Sequence, residues 1–233
     1  MATDTIETRS AEAAERRDAF AGRLFEQFIG TMEVMSIYLG DRLGLYAALA
    51  AGGPATPGAL AARAGTAVRY TREWLEQQVV AGILTVEDAA AEPEARRYAL
   101  PPGHDEVLLG RDSLSYLAPF ARFTVALARP MDELPAAFRS GAGVPYTAYG
   151  PDAREGQAEA NRAMFINLLG SEWLPAVPDV HRHLLAAPEA RVAEIGCGAG
   201  WAGIALARAY PGVRIDGFDV ERAGRCDRRL AAL

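Results

Sequence analysis

Hydrophobic positions recur at three- and four-residue steps through Phe20, Leu24, Phe25, Phe28, Met32, Met35 and Leu39, which predicts one long amphipathic helix. Its apolar stripe is wide, and phenylalanine with methionine on one face suits either the chain's own core or a core shared with a second subunit. Three shorter helices follow. The first, Asp41 to Leu49, ends at Gly52 and Gly53. Thr56 before Pro57 reads as an N-cap with proline in the first turn of the second, which closes at Gly65. Thr66 is expected to cap the third, Ala67 to Ala81, with Val68, Thr71, Leu75 and Val79 on one face and Gly82 as its stop. The period then changes to that of strands over 83–86 and 97–100, on either side of an acidic, alanine-rich loop. Three helices followed by a hairpin predict a winged helix-turn-helix.

Further on, Leu114, Leu117, Phe120, Phe123 and Leu127 predict a helix over 112–129, which Pro119 either kinks or starts. Residues 141–151 form a glycine- and proline-rich loop holding Tyr146 and Tyr149. Met164, Phe165, Leu168 and Leu169 return the pattern to helix over 161–173, and Asp179 is expected to cap a last turn over 180–185. A short apolar run ending at Ile195 then meets three glycines at alternate positions. A helix from Trp201 to Tyr210, a turn at Pro211 and Gly212, and a strand ending near Asp219 complete a βαβ unit. The predicted architecture is mainly α, with a winged helix-turn-helix and a helical linker, followed by α/β. Its boundaries are a disordered lead-in over 1–18, the long helix and winged helix over 19–110, the linker over 111–188, and the α/β unit over 189–233.

Composition narrows the function. Half of the 233 residues are apolar and 23% are charged, which is ordinary for a soluble globular chain. With 24 basic and 30 acidic residues the net charge is -6, unfavourable for a nucleic-acid or anionic-membrane partner. A winged-helix DNA-binding regulator stays open as an alternative. Against it, Arg69 and Arg72 on the would-be recognition helix are matched by Glu73 and Glu76, and the wing carries Glu87, Asp88, Glu92 and Glu94, whereas phosphate contacts need positive surface. Two cysteines, Cys197 and Cys226, form no disulfide framework or zinc motif, and no segment resembles a signal peptide or membrane span. A cytoplasmic location is expected.

The chemistry concentrates where the βαβ unit turns. Glycines leave no Cβ in the way of a ligand, and the following helix N-terminus points its amides at it. An acid about twenty residues on, Asp219, can accept hydrogen bonds from both ribose hydroxyls. Counted from Gly198, the run Gly198, Gly200, Gly203 matches a dinucleotide fingerprint, so an NAD- or FAD-binding oxidoreductase fragment is an alternative. Counted from Gly196, the run Glu194-x-Gly196-x-Gly198-x-Gly200 also accounts for Glu194. That carboxylate sits poorly beside a pyrophosphate and well beside an ammonium group.

In this second phasing the chain resembles the class I S-adenosylmethionine-dependent methyltransferases, and its layout resembles their members with an N-terminal winged helix of the dimerisation type. The stretches 144–149 and 173–179 are also similar to bacterial members. The resemblance implies an incomplete Rossmann-like, doubly wound methyltransferase domain over 189–233, S-adenosylmethionine as cofactor, a small-molecule methyl acceptor and a homodimer formed through the N-terminal helices. It implies that Gly196, Gly198 and Gly200 form the cofactor loop, Glu194 supports the methionine end and Asp219 holds the ribose. The family's base and adenine contacts come mainly from strands beyond the second, so no catalytic residue is carried over. Leu233 follows the second strand closely, and 221–233 is arginine-rich without an apolar stripe. The chain is therefore expected to be a C-terminally truncated member, with no activity implied for it alone. Tyr146, Tyr149, Asn161, Phe165 and Trp173 are candidates for an acceptor pocket. His104, His181 and His183 lack metal-ligand spacing and read as surface residues; no metal is expected.

Overall fold

A computed structural model describes residues 2–186 and 190–220, with side chains from residue 11 onward. Helix α1 runs from Ala2 to Arg42. Within the stretch expected as a disordered lead-in, residues 2–18 are helical. Alanine, glutamate and arginine dominate residues 11–17, and these are strong helix formers, so the helix continues there without any apolar stripe. Helices α2 (Leu45–Gly52), α3 (Pro57–Ala64) and α4 (Val68–Val80) follow. Thr56 caps α3 as expected, accepting the Ala59 N–H at 3.3 Å, with Gly65 left-handed at its end. Thr66 does not cap α4. Its hydroxyl instead pairs with that of Thr71 at 2.7 Å, and Ala67 occupies the N-cap position.

Strands β1 (Thr85–Val86) and β2 (Tyr98–Ala99) pair antiparallel as the wing, shorter than the strand-like pattern suggested. Tyr46, Leu60, Leu75, Leu84 and Tyr98 are buried between α2, α3, α4 and the wing. The long helix joins this core where Gly40 meets the rings of Tyr46 and Trp74. A Cβ there would lie 2.5 Å from both, so only glycine permits the approach. Along α1, in contrast, Phe20, Phe25, Phe28 and Met32 remain at least half exposed.

Helix α5 (His104–Leu109) was not legible as a separate element. Helix α6 spans Ala118–Ala128 and corrects the expected start at 112, because Pro119 is buried in its first turn, where a missing N–H costs nothing. A short helix α7 (Leu134–Ser140) and a 3₁₀ turn (Tyr146–Tyr149) lead into α8 (Gly150–Met164), which continues as a π-helical segment, Phe165–Trp173. Helicity thus begins eleven residues earlier, at Gly150, than the periodicity over 161–173 implied. The anchor is Asp152, 1% exposed, which accepts from Tyr38 Oη at 3.0 Å and pairs with Arg129 at 3.1 Å. Further ion pairs bind α8 to the N-terminal unit: Arg42 to Glu155 at 3.2 Å and Arg111 to Glu159 at 2.7 Å. Arg122 on α6 pairs with Asp41 at the end of α1.

Helix α9 (Pro178–Ala186) starts one residue before Asp179. Strands β3 (Arg191–Ile195) and β4 (Arg214–Phe218) pair in parallel across α10 (Trp201–Ala209), giving the expected βαβ unit. Val192, Ile215, Leu206 and Tyr210 bury one face against Leu184 and the π-helical segment's Leu169. Cys226 and the arginine-rich stretch 221–233 lie outside the described residues, as does part of the expected 189–233 unit. No helix among the described residues is long and apolar enough to cross a membrane.

Candidate functional site

The turn after β3 is built on positive-φ backbone at Gly196 (72°), Gly198 (51°) and Gly200 (79°), which only glycine adopts without strain. Its amides are aimed individually. Gly196 N–H donates to Phe218 O at 2.7 Å and Gly200 N–H to Cys197 O at 2.7 Å. Gly198 N–H donates to the carboxylate of Asp219 at 2.8 Å. The acid twenty-one residues on is therefore bonded directly to the glycine turn. Gly200 serves as N-cap of α10.

Glu194 projects from β3 toward the start of α10, and the Gly203 N–H bonds its carboxylate. This amide belongs to the first turn, which has no intrahelical acceptor, so the side chain from the strand does the work of a cap. Burial raises the Glu194 pKa above the ordinary carboxylate range, and the Gly203 amide offsets part of that shift. The absence of a side chain at Gly203 lets the carboxylate come this close, since a Cβ would lie 2.7 Å from Glu194 Oε2 and push it aside.

Part of this turn, with Glu194 and Asp219, lines a cavity of about 270 Å³. Glu194, Gly196, Gly198 and Asp219 border one side. Tyr146, Asn161 and Phe165 border the other, so the structure brings seven of the expected site residues together. Gly200, Tyr149 and Trp173 are not among its walls. Tyr149 packs beside Tyr146 with ring centroids 6.3 Å apart, and Trp173 packs edge-on against Phe165 at 6.2 Å. Sequence reasoning missed Arg154, Gln157 and Trp201. The first two share the α8 face of Asn161 at helical steps of three and four, a signal hidden while α8 was thought to start at 161.

A second cavity of about 590 Å³ opens from the same turn toward the winged-helix unit and shares Arg154, Ala158, Gly198 and Ala199 with the first. Its polar wall includes the ion pairs Asp41–Arg122 and Arg111–Glu159. Among the histidines, His104 Nδ1 bonds Ile83 O at 2.9 Å and His181 Nδ1 bonds Tyr210 Oη at 2.7 Å. No cluster of three metal-ligating side chains occurs among the described residues. On the winged helix, Arg72 is held by Glu94 at 2.7 Å, Arg96 by Glu76 at 3.3 Å and Arg97 by Glu87 at 3.1 Å, so acids of α4 and the wing offset the positive charge a DNA backbone would need.

The family described as the Rv2258c-like winged HTH domain matches residues 31–111. Comparison with curated protein sequences finds no match. Among solved structures, the chain is similar to the mitomycin 7-O-methyltransferase MmcR, with TM-score 0.59 and 22% identity over 88% of this chain and 60% of that one. It is similar to human N-acetylserotonin methyltransferase in complex with S-adenosylmethionine, with TM-score 0.56 and 24% identity over 86% of this chain and 59% of that one. A third, the O-methyltransferase NcsB1 with S-adenosylmethionine and 2-hydroxy-5-methyl naphthoic acid, gives TM-score 0.51 and 17% identity, covering 81% and 57%. The chain thus shares its fold with these methyltransferases over the matched residues, and it spans about 60% of the length of the first of them.

Proposed function

We propose that the smaller cavity binds S-adenosylmethionine and that the chain is part of an enzyme transferring its methyl group to a small-molecule acceptor. The carrying observation is that Glu194 and Asp219 border one cavity together with the glycine turn. Two carboxylates would repel a dinucleotide's pyrophosphate, whereas an amino-acid ammonium and a ribose diol both welcome them. Asp219 would hold the ribose; a carboxylate has about four acceptor positions, so the bond from Gly198 leaves capacity for hydroxyls. Glu194 would face the ammonium, and Gly196, Gly198 and Gly200 let the ligand approach the backbone. The β3–α10–β4 unit is then the start of a doubly wound, Rossmann-like sheet.

One observation favours the dinucleotide reading. Gly203 packs closely under the strand, as the third glycine of that fingerprint does. What it approaches, however, is the Glu194 carboxylate. Calorimetry decides between them: S-adenosylmethionine and its demethylated product are expected to bind, and NAD is not. Binding of NAD without either sulfur nucleotide would reverse the assignment.

Methyl transfer breaks the bond between sulfur and the methyl carbon as the acceptor atom bonds that carbon from the opposite side, and a hydroxyl acceptor must also lose its proton. Tyr146 and Phe165 supply aromatic faces, and the Tyr146 hydroxyl and Asn161 amide supply polar groups, a combination that suits a flat acceptor. No residue here is assigned as the base.

The exposed phenylalanines and methionine of α1 support a homodimer through the N-terminal helices, in the cytosol that the sparse cysteines suit. Replacing both Phe25 and Phe28 by aspartate is expected to convert a dimer into a monomer, read by light scattering after size exclusion. A wild-type chain that is already monomeric would remove this assignment.

A further inference from the structure

Arg162 lies on α8 beside Asn161, and its guanidinium reaches in two directions. It donates to Asp112 Oδ1 from Nε at 2.7 Å and lies within 2.6 Å of it through a terminal nitrogen. On the other side, its central carbon is 4.0 Å from the centroid of the Trp201 ring. Trp201 is the first residue of α10, directly after the glycine turn, and lines the smaller cavity. Its indole Nε1 is buried without a hydrogen-bond partner. No hydrogen bond from the indole nitrogen fixes the ring, and the guanidinium of Arg162 covers its face. Asp112 is itself held, since Asn167 Nδ2 donates to its backbone carbonyl at 2.8 Å.

We propose that Arg162 is a positioning residue that carries the placement of Asp112, at the edge of the winged-helix unit, to the wall of the cofactor cavity by stacking on Trp201. A planar guanidinium can bond a carboxylate at its edge while its face covers an aromatic ring, which an ammonium cannot do. The Asp112 carboxylate is 66% exposed, so its pair with Arg162 is weak as an energy source. Its effect is directional: it fixes the plane of the guanidinium and so the plane of the indole. A cavity wall set this way determines ligand affinity through geometry, not through direct contact. The ligand part of this inference rests on the S-adenosylmethionine reading; the stacking part does not.

The test separates the two. In the ligand-free 233-residue chain, subtracting the emission of Trp201→Phe from that of wild type isolates the Trp201 signal from Trp74 and Trp173. Arg162→Met is expected to shift that signal to the red and increase its quenching by acrylamide. S-adenosylhomocysteine binding should weaken about three- to tenfold, with the thermal midpoint little changed. Arg162→Lys keeps the charge but not the plane, and should leave the Trp201 signal displaced. Asp112→Asn, made at an exposed side chain, should move the same signal in the same direction and serves if Arg162→Met does not fold. An unmoved Trp201 signal in the folded variants overturns the proposal. A moved signal in a chain that binds no sulfur nucleotide upholds the positioning role and sinks only the cofactor reading.

Discussion

Replacing Asp219 by alanine is expected to weaken S-adenosylhomocysteine binding by about 10- to 150-fold, from the ~1.5–3 kcal/mol typical of a hydrogen bond to a charged group. The loss has two sources. The carboxylate would no longer receive the ribose hydroxyls, and Gly198 N–H would lose its acceptor at 2.8 Å. That amide sits at the centre of the turn between Gly196 and Gly200, all three at positive φ, so the turn loses one of its ties to the end of β4, while the Gly196 and Cys197 bonds to Phe218 O remain. Asp219→Asn separates the two sources. Its amide oxygen can still accept from Gly198, but its charge is gone, so binding should fall between wild type and alanine. Titration calorimetry on folded variants measures this, and an Asp219→Ala chain with wild-type affinity would remove the residue from the site.

The elements that could be read from the sequence were those whose cause is local. Thr56 and Pro57 start α3 through one side-chain oxygen and one missing N–H, and both lie within four residues of the amide they serve. The glycine turn and Asp219 were legible because close backbone approach and the length of a βαβ unit impose fixed spacings. What failed depended on partners far along the chain. The start of α8 is set by Asp152 meeting Tyr38 and Arg129, more than twenty residues away in each case, and no period in 150–160 announces it. Arg154 and Gln157 were lost with that misplaced start. Thr66 looked like a cap by residue type, yet its hydroxyl found Thr71 instead, a choice between two nearby partners that only the folded geometry makes. Glu194 was recognised as a carboxylate at a strand end. Its bond with Gly203 was not, because the same glycine also fitted the competing fingerprint.

The largest effect on stability is expected at Gln78, which is completely buried and joins three helices. Its side-chain oxygen accepts the hydroxyl of Tyr46 on α2, and its amide nitrogen donates to Ser36 Oγ on α1 at 3.2 Å and to Gln77 Oε1 at 2.7 Å. Tyr46 is itself 0% exposed, and its burial raises the phenol pKa above the ordinary tyrosine value, so the hydroxyl stays protonated and must donate. Gln78→Leu matches the shape roughly but strands that donor away from water. A buried, unsatisfied polar group costs about 1–3 kcal/mol, and the disturbed pairing of Ser36 and Gln77 adds to it. The expected loss is therefore about 2–4 kcal/mol, measured by urea unfolding at neutral pH. Tyr46→Phe alone should cost less, since it leaves the bonds of the Gln78 amide nitrogen to Ser36 and Gln77 in place. The double variant carries the decisive value. With both polar ends removed, much of the loss should return, giving an interaction energy of about 1–2 kcal/mol between the two sites. If Gln78→Leu and Tyr46→Phe instead add without interaction, the hydroxyl is satisfied elsewhere, and the bond to Gln78 does not hold α2 against α4.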